Sequence, residues 1–230
     1  MTTAPPPARP TFTVVNLCCK LNYAEASTIA RQLAEGGLAQ AAEGQPADVY
    51  VVHTCAVTQQ AEKKCRQAIR QLAKQGGGAA LVCVTGCMAS LKAFALEAMP
   101  EVALVADKGE VARRIAERLR LPPPAAPAAP ADGFFAACSW GGDRTRAFLK
   151  VQDGCDYRCA YCTVPAARGA SRSAPIAAIA AQAEAAAAQG VREVVLTGVN
   201  TGDFGRPAGE SLLQLAQRLE QVKGVARYRI

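Results

Sequence analysis

The chain has 230 residues, of which 50% are hydrophobic and 20% charged, and its formal net charge is +7. This length allows about one large or two modest domains with a buried core. The start of the chain is polar and rich in proline, without the apolar stretch of a secretory signal peptide, and no apolar run approaches a membrane span in length. We therefore expect a cytoplasmic protein with no membrane segment, and the positive charge favours a polyanionic partner.

Residues 1–10 are predicted to form a disordered tail, and residues 11–120 alternate short apolar runs with helical patterns. This alternation is typical of a parallel α/β sheet domain. The predicted strands are residues 11–16, 48–52, 80–85 and 102–105. The predicted helices are residues 23–35, 58–74, 91–99 and 109–119.

Residues 121–143 are predicted to form a linker, because five prolines fall within 121–132. A second unit, residues 144–230, then begins. Its predicted strands are residues 147–151, 191–196 and 225–230, and its predicted helices are residues 175–189 and 210–222. Two and a half strand–helix units cannot close a barrel, so we expect the first part of a larger domain, with truncation as the simplest explanation.

Three closely spaced cysteines follow the first predicted strand of the second unit. Cys155, Cys159 and Cys162 form the pattern C-x3-C-x2-C, which supplies three thiolates from one short loop. Thiolates are the usual ligands of a [4Fe–4S] cluster, and three of them leave one iron open. A structural zinc site normally takes four ligands, and a disulfide suits a small secreted domain. Both remain alternatives to the cluster.

A second set of cysteines is spread over the first unit. Cys19, Cys55 and Cys87 each follow a predicted strand by a few residues. Because the carboxyl ends of parallel strands lie along one edge of a sheet, these three residues are expected to converge. The alternative is an accidental clustering of strand-end cysteines. Cys18 competes with Cys19 as a ligand at this edge.

The other notable side chains of the first unit are predicted to be structural. Cys65 lies in the middle of a predicted helix and Cys83 in an apolar strand, so both are expected to pack as small apolar residues. The single histidine, His53, ends a predicted strand beside Cys55. We expect it to position the loop of Cys55 rather than to bind a ligand.

The two cysteine sets together resemble those of the methylthiotransferases, radical S-adenosylmethionine (SAM) enzymes that insert a methylthio group. The resemblance runs from about residue 12 to the last residue. The matching segments are residues 19–22, 54–58, 85–87, 154–162 and 196–200. It implies an α/β protein in which an N-terminal parallel sheet domain, residues 11–120, precedes the first part of a radical SAM partial (β/α) barrel, residues 144–230.

The resemblance also implies roles for individual residues. Cys155, Cys159 and Cys162 would hold a [4Fe–4S] cluster with SAM on its open iron, while Tyr161, Gly198 and Asn200 would lie near SAM. Cys19, Cys55 and Cys87 would hold a second, auxiliary [4Fe–4S] cluster that carries the sulfur. Two positions depart from the family: Cys18 stands where glycine is usual, and His53 where asparagine is usual.

Within the family, residues 56–64, 152–159 and 167–173 are most similar to the branch that acts on N6-threonylcarbamoyladenosine next to the anticodon of tRNA. In that branch one SAM methylates the sulfur and a second supplies the radical that removes hydrogen from C2 of the adenine. A flavodoxin or ferredoxin is the implied electron donor. The family's remaining barrel and RNA-binding TRAM domain would follow residue 230, so the 230-residue chain alone is expected to be inactive.

Basic residues in both units are candidate RNA contacts. On the second long helix Lys63, Arg66, Arg70 and Lys74 share one face, and Arg168 and Arg172 follow the cysteine loop. A solvated helix face explains the first group equally well. Other functional readings remain: the isopentenyladenosine-tRNA or ribosomal-protein branch, an iron–sulfur electron carrier or sensor, and a zinc-stabilised nucleic-acid-binding module.

Overall fold

The structure is a computed structural model that describes residues 9–17, 19–124, 136–139 and 146–230. Cys18, most of the predicted tail and most of the predicted linker therefore lie outside the described residues. The chain forms two mainly parallel β-sheets with flanking helices, as the sequence predicts. No helix among the described residues is both long enough and apolar enough to cross a membrane.

The first sheet has five parallel strands in the order β2-β1-β3-β4-β5. Its strands are β1 (Thr11–Asn16), β2 (Ala39–Gln40), β3 (Val49–Thr54), β4 (Leu81–Gly86) and β5 (Leu104–Val105). The helices of this unit are α1 (Lys20–Glu35), α2 (Gln59–Gln75) and α3 (Val111–Leu119). Strand β3 is buried along its whole length, because it lies at the centre of the sheet with helices on both faces.

One predicted helix of this unit is wrong. Residues 91–99 form two short 3₁₀ helices, Lys92–Phe94 and Leu96–Ala98. Ala95 between them has a φ of 44°, a left-handed conformation that interrupts helical hydrogen bonding. Pro100 follows closely and cannot extend a helix with a backbone N–H, so no full α-helix forms in this segment.

The second sheet has the strand order β11-β10-β7-β6. Its strands are β6 (Cys138–Ser139), β7 (Arg146–Lys150), β10 (Glu193–Thr197) and β11 (Arg227–Arg229), and β8 (Gln152–Asp153) pairs separately with β9 (Arg172–Ser173). The helices are α4 (Val164–Arg168), α5 (Ile176–Ala188) and α6 (Leu212–Glu220). Strands β7, β10 and β11 are parallel, whereas the short edge strand β6, which the sequence pattern does not reveal, runs antiparallel to β7.

Helix α1 belongs to the cores of both units. It packs on β1 and β2 of the first sheet and on β6 and β7 of the second. Its Tyr23 ring meets the Phe148 ring of β7 edge-on, with centroids 5.6 Å apart. The hydroxyl of Thr28 in α1 accepts a hydrogen bond from the backbone N–H of Cys138 at 3.2 Å. The two units are therefore joined by a continuous packed interface and not only by the linker.

Candidate functional site: two cysteine sets and the ions between them

The first cysteine set lies at the carboxyl edge of the first sheet. Strands β1, β3 and β4 are neighbours, and each leads directly into the segment that carries one of the three cysteines. Cys19 is the exposed N-cap of α1, Cys55 follows β3 and is half-buried, and Cys87 follows β4 and is buried. The prediction that Cys19, Cys55 and Cys87 occupy one edge of the sheet agrees with this placement; their role as ligands stays a prediction.

Gly86 allows the ends of β3 and β4 to approach closely just before Cys87. Its φ is 95°, and a Cβ at this position would lie 2.5 Å from the carbonyl oxygen of Thr54 and 2.8 Å from Nδ1 of His53. A side chain would therefore separate the two strand ends that carry Cys55 and Cys87.

His53 is fully buried beside this edge and acts as a structural residue. Its Nδ1 lies 3.1 Å from Nδ2 of Asn22, which can only donate, and its Nε2 lies 3.3 Å from Oε2 of Glu25. These contacts assign the tautomer with hydrogen on Nε2. Burial lowers the pKa of His53 although Glu25 opposes the shift. A neutral imidazole therefore links α1 to the end of β3.

Burial raises the pKa of three thiols at or beneath this edge, and their other contacts differ. Burial raises the pKa of Cys87, while the guanidinium of Arg168 contacts its thiol and opposes that shift. Cys65, fully buried in α2, also has a pKa raised by burial, and the backbone of Cys55 hydrogen-bonds to it. Cys83 is buried within β4, and burial raises its pKa to about 12. The predicted burial of Cys65 and Cys83 is confirmed.

The second cysteine set lies in the loop after β8, at the carboxyl end of β7. Cys155 is half-buried, and Cys159 and Cys162 are exposed. The backbone N–H of Cys155 donates to the carbonyl of Gly169 at 3.1 Å, and that of Cys162 donates to the carbonyl of Cys159 at 3.1 Å. Gly154 has a φ of 70°, and a Cβ there would clash with the backbone of Gly169 and Ala170. The loop can therefore fold back on α4 only with glycine before Cys155.

Gln152 is a site residue to which the sequence analysis assigns no role. Its buried side-chain amide donates to the carbonyl of Gly154 at 2.8 Å and contacts the Ser171 hydroxyl at 3.0 Å. Its Oε1 accepts from the backbone N–H groups of Val199 and Asn200 at 2.9 and 2.8 Å. Gln152 thus ties the cysteine loop to the segment after β10. The signal in the sequence that could have pointed to Gln152 is its polar side chain directly after a buried strand.

We expect Gln152→Glu to lower the free energy of unfolding by about 1–3 kcal/mol, because it removes the amide donors and leaves the buried carbonyl of Gly154 without them. Urea unfolding of the cluster-free chain measures this change. Gln67→Glu, on the exposed side of α2, is the matched control and should stay within about 0.5 kcal/mol of the unsubstituted chain. Equal stability of the two variants would contradict the assigned hydrogen bonds.

The predicted SAM-contact residues lie at the carboxyl edge of the second sheet. Gly198 directly follows β10, and a Cβ there would lie 3.0 Å from Oε1 of Gln152, so a side chain at this position would have to displace Gln152 by a few tenths of an ångström. The Nδ2 atom of Asn200 donates to Oδ2 of Asp203 at 2.7 Å. The Tyr161 side chain is fully exposed in the cysteine loop. Gly198, Asn200 and Tyr161 therefore flank the second cysteine set, and their contact with SAM stays a prediction.

The predicted RNA-contact residues divide into three groups. Lys63, Arg70 and Lys74 are exposed on α2. Arg66 is half-buried and already binds its own chain, since its guanidinium bonds to Glu62 at 3.0 Å and to the Phe94 carbonyl at 2.7 Å. Arg172 is half-buried near Asp153, and Arg168 is buried. The expectation for Arg168 must be corrected, because a buried guanidinium bonded to carboxylates cannot reach a phosphate.

A buried ion cluster, formed by Glu25, Lys108, Lys150, Asp153 and Arg168, lies between the two cysteine sets. Lys150 Nζ lies 2.7 Å from Glu25 and 2.6 Å from Asp153. Arg168 contacts the same two carboxylates at 3.1 and 2.7 Å. Lys108 lies 3.2 Å from Asp153 and 3.8 Å from Glu25. Within this cluster three cations therefore face two carboxylates, and the half-buried Arg172 adds a further guanidinium 3.7 Å from Asp153 at its edge, so positive charges are in excess.

The electrostatics of the two carboxylates follow from this arrangement. Burial alone would raise the pKa of Glu25, but Lys150, Arg168, the imidazole of His53 3.3 Å away and Lys108 together hold that pKa well below its usual range. The pKa of Asp153 is lowered in the same way, against burial, by Lys150 and Arg168. Both residues are therefore ionised at neutral pH.

The type of donor atom in both cysteine sets is that of an iron–sulfur cluster, and the binding of a cluster by either set stays a prediction. Each set offers three thiols without a disulfide, on loops whose backbone is fixed by hydrogen bonds. Among the described residues no three His, Cys, Asp or Glu side chains gather closely enough to hold a single metal ion. A cluster spreads its thiolates over separate irons and so needs a wider arrangement. The excess positive charge beside Cys87 also suits a site of anionic thiolates.

Two family models match separate parts of the chain. Residues 11–107 match the family described as uncharacterized protein family UPF0004, and residues 149–227 match the radical SAM superfamily. A cobalamin-dependent SAM radical enzyme, OxsB, has a similar structure, with a TM-score of 0.56 at 12% identity over 96% of this chain and 38% of its own. That similarity shows the fold alone, which is the fold of a radical SAM protein.

The curated relatives show which kind of radical SAM protein this chain is similar to. The chain is 37% identical to the threonylcarbamoyladenosine tRNA methylthiotransferase MtaB of Chlamydia pneumoniae, over 96% of this chain and 50% of that protein. It is 32% identical to a tRNA-2-methylthio-N(6)-dimethylallyladenosine synthase of Sphingopyxis alaskensis and to a ribosomal protein uS12 methylthiotransferase RimO of Synechococcus, covering 52% and 44% of those proteins. By these matches the chain is similar to radical SAM methylthiotransferases over most of its length. It spans about half the length of the curated relatives it matches.

Proposed function

We propose that this chain carries both cofactor sites of a cytoplasmic tRNA methylthiotransferase. The observation that carries the proposal is the pair of three-cysteine sets on the carboxyl edges of two sheets, joined by one buried ion cluster. Cys155, Cys159 and Cys162 would hold one [4Fe–4S] cluster and leave an iron open for SAM. Cys19, Cys55 and Cys87 would hold the auxiliary cluster. Bound there, the two clusters and SAM supply one-electron chemistry and the sulfur.

The protein's own residues would shape the site around these groups. Gln152 would hold the cysteine loop against the backbone of Val199 and Asn200, so that Gly198 and Asn200 present an edge to SAM. Exposed Tyr161 would cover SAM from the loop. Lys63, Arg70 and Lys74 are left as contacts for the tRNA backbone, and such contacts make binding weaken as salt concentration rises.

We further propose N6-threonylcarbamoyladenosine next to the anticodon as the substrate, with methylthio insertion at C2. The sequence around Cys55, Cys155 and Arg168 resembles that branch, and the identity of 37% to a relative of that name supports it. The relatives of the isopentenyladenosine and ribosomal-protein branches, at 32–34%, are the alternatives, and two further relatives of the threonylcarbamoyladenosine branch are 32–33% identical. The substrate base must leave its stack to be reached.

The test has two parts. Anaerobic reconstitution of the chain should give about eight irons per chain if both sets hold a [4Fe–4S] cluster. Expression of the natural gene in a bacterium lacking its own methylthiotransferases, followed by mass spectrometry of tRNA nucleosides, should reveal the 2-methylthio form of N6-threonylcarbamoyladenosine. Zinc bound in place of iron would exclude the proposal. Methylthiolation of isopentenyladenosine or of protein uS12 would instead assign the protein to the isopentenyladenosine branch or to the ribosomal-protein branch.

A further inference from the structure

Arg168 bonds to the first cysteine set through Asn22. One guanidinium nitrogen, Nη2, donates to Oδ1 of Asn22 at 2.6 Å. The same amide oxygen accepts from the thiol of Cys19 at 3.4 Å, and Nδ2 of Asn22 donates to the carbonyl of Thr54 at 3.2 Å. Thr54 directly precedes Cys55. One buried amide therefore connects Arg168 with the segments of two cysteines of this set.

Arg168 bonds to the second cysteine set through Asp153. Its other nitrogen, Nη1, donates to Oδ1 of Asp153 at 2.7 Å, and that oxygen also accepts from the backbone N–H of Gly154 at 2.9 Å. The carbonyl of the next residue, Gly169, accepts from the backbone N–H of Cys155 at 3.1 Å. Arg168 therefore also fixes the start of the C-x3-C-x2-C loop.

The positively charged guanidinium of Arg168 also lies beside the first cysteine set. Its guanidinium lies against the thiol of Cys87, and the buried ion cluster holds one more cation than it holds carboxylates. A buried excess charge is costly unless an anion is near. The side chain of Cys87 faces this guanidinium, and a cluster held by Cys87 would supply the anion.

We propose that Arg168 is a positioning residue that fixes the two cysteine sets relative to one another and keeps a positive charge beside Cys87. The charge part of this inference rests on the proposed function, because it assumes a cluster at Cys87. The positioning part rests only on hydrogen bonds of the polypeptide. A lysine cannot replace the arginine here, since one ammonium group on a flexible stem cannot reproduce a planar guanidinium bonded to Asn22, Glu25 and Asp153 at once.

The positioning part is tested by hydrogen exchange on the cluster-free chain. In Arg168→Lys the amides of Cys87, Gly154 and Cys155 should all exchange faster, although they belong to different units. Arg192→Lys is the matched control, because Arg192 is an exposed arginine just before β10. It should leave the exchange rates of all three amides unchanged. Acceleration in one unit only, or in neither, would overturn the inference.

Asn22→Leu tests the link if Arg168→Lys proves too unstable to purify. It keeps the branching at Cγ but removes the hydrogen bonds of Asn22 to Arg168, Thr54, His53 and Cys19, and it leaves the buried ion cluster complete. The Cys87 amide should exchange faster in this variant while the Cys155 amide keeps its protection. An unchanged Cys87 amide in Asn22→Leu would refute the bridge.

The charge part of the proposal is tested on the chain after its iron–sulfur clusters have been reconstituted. The reduction potential of the auxiliary cluster should become more negative in Arg168→Gln, which removes the charge, and stay near the original value in Arg168→Lys. The magnetic interaction between the two reduced clusters, seen by electron paramagnetic resonance, should change in both variants. An unchanged potential in Arg168→Gln would overturn the charge part. A chain that binds no iron would refute the proposed function instead, and hydrogen exchange would still decide the positioning part.

Discussion

Replacing Cys159 by alanine is expected to remove one of the two clusters and all formation of 5′-deoxyadenosine from SAM. Cys159 is exposed in the loop of the second set, and the two thiolates that remain, Cys155 and Cys162, cannot hold the cluster securely. Iron and sulfide analysis of the reconstituted chain measures the first loss. Anaerobic incubation of protein from the natural gene with SAM and a reductant measures the second.

Cys138→Ala is the matched control for this experiment. Cys138 lies in β6 of the same unit, and burial raises the pKa of its thiol to about 12, so it is not a thiolate at neutral pH. The Cys138→Ala variant should therefore keep both clusters and still cleave SAM. Cys55→Ala should lose one cluster yet retain SAM cleavage, because Cys55 belongs to the other set. Deoxyadenosine formation by Cys159→Ala would refute the ligand assignment.

Replacing Glu25 by glutamine is expected to lower the free energy of unfolding by about 3–5 kcal/mol at pH 7, because it leaves buried cations without one of their two carboxylates. Glu25 is fully buried and contacts Lys150 at 2.7 Å and Arg168 at 3.1 Å. Urea unfolding of the cluster-free chain measures the loss. Glu35→Gln, at the exposed end of α1, is the control and should change stability by less than about 0.5 kcal/mol.

The pH dependence of this loss has a definite sign. The pKa of Glu25 is lowered in the folded chain, so the carboxylate contributes its full stability above its unfolded pKa of about 4.3. That contribution decreases as the pH falls from there towards the folded pKa. The difference in unfolding free energy between the unsubstituted chain and the Glu25→Gln variant should therefore be constant from about pH 6 to 7 and shrink below about pH 4. A difference that grows on acidification would contradict the ion-pair assignment.

The sequence predicts the placement of the cysteines because that placement depends on local patterns. Apolar runs that end just before Cys19, Cys55 and Cys87 predict parallel strands, and the carboxyl ends of such strands share one edge. The spacing of Cys155, Cys159 and Cys162 places them in one loop without further information. The order of the strands and the register between them were not needed for either prediction.

The connection between the two sets could not be predicted in the same way. Arg168 bonds to Glu25, which is 143 positions away, and such a pair leaves no periodic signal in one sequence. Its basic side chain next to a cysteine loop instead suggested RNA contact. Lys150 offered the better signal, because a lysine between apolar Leu149 and Val151 in a predicted buried strand indicates a buried ion pair.

The position of α1 between the two sheets has a consequence for synthesis on the ribosome. Thr28 finds its hydrogen-bond partner Cys138 only 110 positions later, so the first unit emerges with one face of α1 uncovered. Contacts of such long sequence separation slow folding and leave apolar surface open to aggregation or chaperone binding meanwhile. We therefore expect the N-terminal unit to complete its packing only after β6 and β7 have been made, and the edge that carries Cys19 to reach its final form only after Arg168 has bonded to Asn22.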